Sequence, residues 1–431
     1  MPQIWKKKDS KKTNEFFQKY TTGTDFIIDM QLFPFDIKAN RAHVKMLQKI
    51  KIITADELKK LLDGFDRLMK KYDQGEIKIT FEDEDCHTVI ENEMIKICGD
   101  IAKKIHTGRS RNDQVLVAVR LYTINKLQLI KQKLKELLLN FANFAKKHQG
   151  IPFPGYTHTR QAMLSSIDHY FISYLDLLLD DYEYVKFAIK QTSKNPLGTG
   201  AGYGSSFPVD REFTTQELGF KKTQINSLST QNSRGKTELT TMDALVQIMI
   251  SLGKFSNDMV VFTVEEMQCF TLAENITTGS SMMPQKRNPD GCELIRGNTN
   301  IVIGHQTAIQ GICKNLFTGY NRDTQLIKKP FFDSLDLVLD SIQLTDIILK
   351  NITVNPKNIE KNISKEMFAT DLANDLVKEK NMSFRDAYRE AMDQLQDYQV
   401  DLQKNLKSKI SWGGPGNTGF KVYEKLIDKL V

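Results

Sequence analysis

The residues best equipped for chemistry lie in the stretch Thr278-Gly-Ser-Ser-Met-Met-Pro-Gln-Lys-Arg-Asn-Pro-Asp290. Two hydroxyls, Ser280 and Ser281, follow Gly279, and an ammonium follows at Lys286. Asn288-Pro289-Asp290 then spells a helix start. Asn is a good N-cap, Pro fits the first helical position, and Asp suits the positive end of the helix dipole. A hydroxyl, an ammonium and a helix N-terminus together suit an anion, or a hydroxyl that must become one. The same residues also read as a Ser/Gly loop capped by an ordinary helix, so the rest of the chain has to decide.

The elements that would hold this stretch are helices. Apolar residues recur at helical spacing from Asp36 to Tyr72, which predicts two helices, and a further helix is expected from about Thr88 to Lys104. Gly108 and the polar run Arg109 to Gln114 break the pattern. A very long segment follows, with Val117, Leu121, Ile124, Leu127, Leu134, Leu138 and Phe141 spaced by threes, fours and sevens, and Pro152, Pro154 and Gly155 end it. Similar stripes run through 167–189 and 242–262, from Pro289 onward, and over about 334–349. Near-heptad stripes on helices of roughly 30 residues are bundle seams. Helices this long bury poorly within one domain, so several subunits are expected to share the bundle. Residues 1–24 read as polar and irregular, and strand signal is scarce. The chain reads as an N-terminal helical domain (1–108), a central long-helix domain (109–355) and a small C-terminal helical domain (356–431).

Composition narrows the classes. The 431 residues are 40% hydrophobic and 26% charged, as in ordinary soluble proteins. The net charge of +7 is spread along the chain, with Lys6 to Lys8, Lys11 and Lys12 reading as a solvated terminus. No basic patch is interleaved with aromatics, which argues against nucleic acid as a partner; a site for an acidic small molecule accounts for the sign. The five cysteines are isolated, so neither a zinc site nor a disulfide framework is indicated and a reducing compartment is expected. The N-terminus lacks an apolar secretory core, and no apolar run approaches the roughly 20 residues that span a membrane. A cytoplasmic protein is expected. The Gly-rich run Pro196 to Gly204 lacks the Gly-Lys-Ser/Thr ending and the preceding strand of a phosphate loop, and reads as a connection between long helices.

Four polar breaks interrupt the apolar stripes: Thr107 to Gln114, Gly155-Tyr-Thr-His158, the opening stretch, and Tyr320-Asn-Arg-Asp-Thr-Gln325 with Lys328. Here the sequence resembles a family. Gly279 to Asn288 looks like the signature of the fumarase/aspartase superfamily of lyases. Thr107-Gly-Arg-Ser-Arg-Asn-Asp-Gln114 resembles the form of the second motif found in argininosuccinate lyases. The resemblance continues through Gly155 to His158, Asn195-Pro-Leu-Gly198, Asn232-Ser-Arg-Gly-Lys236, Tyr320 to Gln325 and Ala369-Thr-Asp-Leu-Ala373. It implies a mainly α, three-domain fold with a central long-helix bundle shared in a homotetramer, active sites assembled from different subunits, and no metal or cofactor.

It also implies roles. Argininosuccinate lyases split argininosuccinate into arginine and fumarate, and the hard step removes a proton from carbon next to a carboxylate. The dianionic intermediate needs positive charge and hydrogen-bond donors. By resemblance Ser280 is the base, supported by Lys286, loop N–H groups and the Asn288 helix start, and Lys286 and Asn288 hold the carboxylate on which charge accumulates. His158, held by Glu293 one to two turns beyond Lys286 on the same helix, would manage the proton of the leaving guanidinium. Arg111, Asn112 and Thr157 match carboxylate binders, while Tyr320, Gln325 and Lys328 match residues gripping the arginine end. Two positions depart from the family pattern. Arg160 stands where a substrate-binding Gln is usual, without the Pro that commonly follows, and Asp25 stands where many members have a substrate-binding Ser. These changes bear on substrate preference, leaving open a related lyase that releases fumarate from another succinyl adduct. A non-catalytic structural homologue is the third reading.

Overall fold

A computed structural model describes residues 14–430; the lysines at 6–8, 11 and 12 lie outside them. The protein is mainly α. The long stripes form the helices Arg111–Lys147, Ile167–Thr192, Lys236–Phe262, Asp290–Cys313 and Lys328–Lys350. Their apolar residues face inward at three- and four-residue spacing. The first pair expected from the sequence is Phe33–Lys49 and Ala55–Asp73. The second of these starts in a capping box, with Thr54 and Glu57 satisfying each other's backbone N–H groups.

Several boundaries differ from the sequence reading. The opening stretch is not irregular throughout: Glu15–Thr22 is a helix, begun by Asn14, whose side chain accepts from the Phe17 N–H. The helix expected from Thr88 starts earlier, as Cys86–Cys98, capped by Asp85, and tightens into a 3-10 turn over Gly99–His106. Arg111 to Gln114, read as part of a break, are the first turn of the longest helix. Pro152–Thr157 and Arg160–Ser166 form an antiparallel hairpin where only a helix end was expected.

The described residues fall into two compact units, each drawing residues from the long helices. The first takes the chain up to Leu129, then Val185–Ala244 and Gly304–Asp336. Its core joins Ala39 and Ala42 to Val117, Leu121, Leu197, Leu218 and Phe220. The Gly-rich run connects elements here, as expected. Its amides grip a carboxylate of the chain itself: Gly198 and Gly200 N–H donate to Asp113 Oδ2 at 2.8 and 3.0 Å, and Gly198 needs its positive φ of 87° to do so.

The second unit comprises Ile130–Tyr184, Leu245–Ile303 and the chain from Leu337 on. Its core is aromatic: Phe141 meets Phe255 at 5.2 Å, and Phe144 meets Phe171 at 4.3 Å. The hairpin enters this core through Phe153, 5.0 Å from Phe262. Its second strand is tied to the C-terminal segment, because Gln161 donates to the Asn362 carbonyl at 2.5 Å and accepts from the Ser364 N–H at 2.9 Å. Contrary to the expectation of no apolar run near membrane-spanning length, Ser227–Phe262 qualifies by length and composition; 61% of its apolar window is buried within the protein.

Candidate active site

The stretch that opened the sequence reading is a loop closed at its neck. Thr278 and Asn288 exchange backbone hydrogen bonds at 3.2 and 2.8 Å. The Asn288 side chain therefore does not cap the helix as expected; its amide donates to the Gly279 carbonyl at 3.4 Å, and the helix begins at Asp290. Lys286 sits in the loop, exposed, and so is not on the helix that carries Glu293. Two backbone N–H groups, of Met282 and Met283, donate to Ser280 Oγ at 3.2 and 3.1 Å. Donors aimed at a hydroxyl oxygen favour its ionised form more than its neutral one. This local geometry was not legible from residue types alone.

His158 occupies the tip of the hairpin. It and Thr159 are the two residues between the paired Thr157 and Arg160, with φ of 51° and 58°. Left-handed backbone at both positions matches the twist of a two-residue turn, but it strains a β-branched residue such as Thr159. Such strain gathers at functional segments. The tip, including Thr157, His158 and Arg160, is exposed. Among the described residues no hydrogen bond joins His158 to Ser280 or Glu293, so the expected His158–Glu293 contact is not made within the chain.

The remaining nominated residues converge in the first unit, on a cavity of about 410 Å³ lined by Arg111, Asn112, Tyr320, Gln325 and Lys328. The cavity also holds Asp25, which the sequence reading put at a substrate-binding position, and Asp29, Asp85 and Arg234, which it did not nominate. Lys328 Nζ lies 2.7 Å from Asp25 Oδ2 and 2.8 Å from Asp29 Oδ1. Burial works against this ammonium, but Asp29 and Asp25 outweigh it and hold the Lys328 pKa above its usual value. Burial, with the nearby Asp29 charge, pushes Asp25 up to about 6 despite the ammonium. Arg111 is committed to Asp85, at 2.7 and 2.5 Å. Asp85 is half-buried; partial desolvation works against its charge, yet Arg111 and His87 bring its pKa down to about 2. The Arg234 guanidinium lies over the Tyr320 ring at 5.0 Å and donates to the Asn112 carbonyl. Gln325 donates to the Thr21 carbonyl at 3.0 Å.

Asp25 and Arg234 lay in stretches the sequence had singled out. Asp29 carried no signal beyond its four-residue spacing from Asp25, which puts both on one helical face. The cavity thus offers alternating carboxylates and cations, suited to a small molecule bearing both charges.

A family model described as lyase matches residues 8–304. The argininosuccinate lyase of Thermotoga neapolitana is 41% identical over 347 residues, spanning 80% of this chain and 87% of that one. That of Bacteroides fragilis is 36% identical over 352 residues, 82% and 78% of the two chains. Among solved structures, an EDDS lyase variant with bound fumarate matches with a TM-score of 0.81 over 98% of this chain and 91% of that one, at 19% identity. That likeness speaks for the fold. Sequence relatives and family model together show that the chain belongs to the argininosuccinate lyase family, within the fumarase/aspartase superfamily.

Proposed function

We propose that the protein cleaves argininosuccinate to arginine and fumarate, the last step of arginine biosynthesis, in the cytoplasm. Beyond the family itself, the observation that supports this reading most directly is the pair of N–H groups donated to Ser280 Oγ. As alkoxide, Ser280 removes the proton from carbon next to a carboxylate of the succinyl part. The electron pair moves into that carboxylate, where Lys286 and Asn288 meet the added charge. It then returns to form the C=C bond as the C–N bond breaks. The departing guanidino nitrogen takes a proton from the acid side, His158 supported by Glu293. Arg111, Asn112 and Thr157 hold substrate carboxylate, and Tyr320, Gln325 and Lys328 hold the arginine end. General acid–base help of this kind is worth about 10²–10⁴-fold.

In this reading the chain has an N-terminal (1–108), a central (109–355) and a C-terminal (356–431) domain and works as a homotetramer, with each site drawing loop, hairpin tip and cavity from different copies. The bare face of the helix Asp290–Cys313 supports assembly. Leu294, Gly297, Ile301, Gly304, Ala308 and Gly311 follow one another at three- and four-residue steps, and all are exposed. A Cβ added at any of the three glycines would meet nothing within 4 Å. Such a stripe fits the seam of a coiled helix pair.

A second reading, a lyase for another fumarate-releasing succinyl adduct, is favoured by one observation: Asp25 shares Lys328 with Asp29. Ultraviolet detection of fumarate separates the readings. Turnover of argininosuccinate is expected, and Ser280→Ala should lower kcat by about 10²-fold or more without changing the oligomeric mass. Turnover of another adduct alone would favour the second reading. A folded protein releasing no fumarate from any adduct would overturn both.

A further inference from the structure

Beside the cavity, on the inner side of Asp29, lies a cluster to which the reaction assigns no task. Asp29, Cys86 and His87 are fully buried. One donor atom from each lies within 4.8 Å of the others. Cys86 and His87 open the helix Cys86–Cys98, and Asp29 begins the 3-10 turn Asp29–Gln31.

The bonding state of these atoms is uneven. Asp29 Oδ1 is held by Lys328, but Oδ2 is buried with no hydrogen-bond partner. His87 Nδ1 lies 2.8 Å from Asp36 Oδ2, an ion-pair distance outside hydrogen-bond geometry, and both ring nitrogens are buried without a hydrogen-bond partner. Asp36 is itself anchored by the Gln114 amide at 3.1 Å. Buried polar atoms are normally satisfied, and an exception calls for an explanation.

We propose that Asp29, Cys86 and His87 form a binding site for a borderline-soft divalent cation such as zinc or cobalt. Carboxylate, thiolate and imidazole are the donors that such ions take in tetrahedral sites, and three protein ligands leave a fourth position open. In known metal centres the ring N–H not facing the metal donates to a carboxylate that fixes its orientation, and Asp36 Oδ2 stands 2.8 Å from Nδ1, within a small ring rotation of that bond. Asp36 takes that part, leaving Nε2 to coordinate. Asp29 bridges, with Oδ1 on Lys328 and Oδ2 on the ion, so binding does not require the loss of the ion pair. The Cys86 thiol releases its proton to solvent as the sulfur–metal bond forms. Donors in a tetrahedral site stand about 3.3–3.7 Å apart, so small rotations of the three side chains draw them in. Asp29 also lines the cavity, which provides the approach. The ion takes no part in the bond-breaking steps of the proposed reaction, although Asp29 also holds Lys328.

Cobalt(II) is the probe, added to the full-length protein freed of metal by a chelator. One cobalt per chain is expected, with visible ligand-field bands and a near-ultraviolet thiolate-to-cobalt band that excess zinc abolishes. Cys86→Ser should remove the near-ultraviolet band and leave the circular dichroism of the apoprotein unchanged. If that variant does not fold, Cys86→Ala must lose the band and Asp29→Asn must weaken cobalt binding at least tenfold. Absence of the band in the unaltered protein overturns the site. So does its survival in the Cys86 variants, which would put the thiolate at one of the other four cysteines.

Discussion

Single residues in this protein are tuned mainly by burial, and the tuning can be read out through pH. Asp181, on the helix Ile167–Thr192, is buried, and its Oδ2 has no partner. Burial pushes its pKa up to about 6, although a hydrogen bond from Ser251 pulls the other way. A carboxyl raised in the folded state is disfavoured when ionised. The penalty is absent below the unfolded value near 4, grows as pH rises, and is complete above about 6. Asp181→Asn should therefore raise Tm at pH 8, by the equivalent of about 2–3 kcal/mol, with the gain fading by pH 4. A thermal melt series by circular dichroism checks this; an equal gain at both pH values would place the cause elsewhere. Lys328 stands at the opposite extreme, a buried ammonium kept charged because two carboxylates share it. Nothing in the sequence announced that triad, because Lys328 and Asp29 lie 299 residues apart. The Ser280 hydroxyl and Lys286 were legible because both fall within one short stretch.

Among elements, the tightest joint follows the break between Ser227–Asn232 and Lys236–Phe262. Gly235 has φ of 80°, and a Cβ there would lie 1.9 Å from Cys313 Sγ. Gly235→Ala should cost about 2–4 kcal/mol, from strained backbone and overpacking together. Urea unfolding measures it, and a loss below about 1 kcal/mol would mean that Cys313 simply swings aside. The long helices were legible because their apolar residues keep strict three- and four-residue steps over many turns. The hairpin Pro152–Ser166 was not. Its first strand contains two prolines and a glycine, and its register shifts between Pro154 and Tyr156. Alternation is lost there, and tertiary packing through Phe153 and Gln161 decides the conformation. The helix Glu15–Thr22 escaped notice for another reason: five of its eight residues are polar or charged and Phe16, Phe17 and Tyr20 stay exposed, so no buried stripe marks it. At the start of the helix Asp290–Cys313 the sequence was one residue out, since Asn288 pairs across the loop neck instead of capping.

For the whole molecule, the proposed tetramer makes assembly and stability one quantity. Leu294 and Ile301, 64% and 50% exposed, stand a heptad apart on the bare helix face. Light scattering should give four chain masses, and Tm should rise with protein concentration, because association stabilises the folded chain by mass action. Gly297→Leu on that face should lower the mass while leaving helix content intact; a one-chain mass for the unaltered protein would remove the shared bundle. The stripe also bears on the life of the chain in a cell. A newly made protomer that has not found its partners displays a row of leucine, isoleucine and glycine of the sort that chaperones hold and proteases clear. Its abundance should then climb more steeply than its synthesis, since each chain shelters the others from disposal.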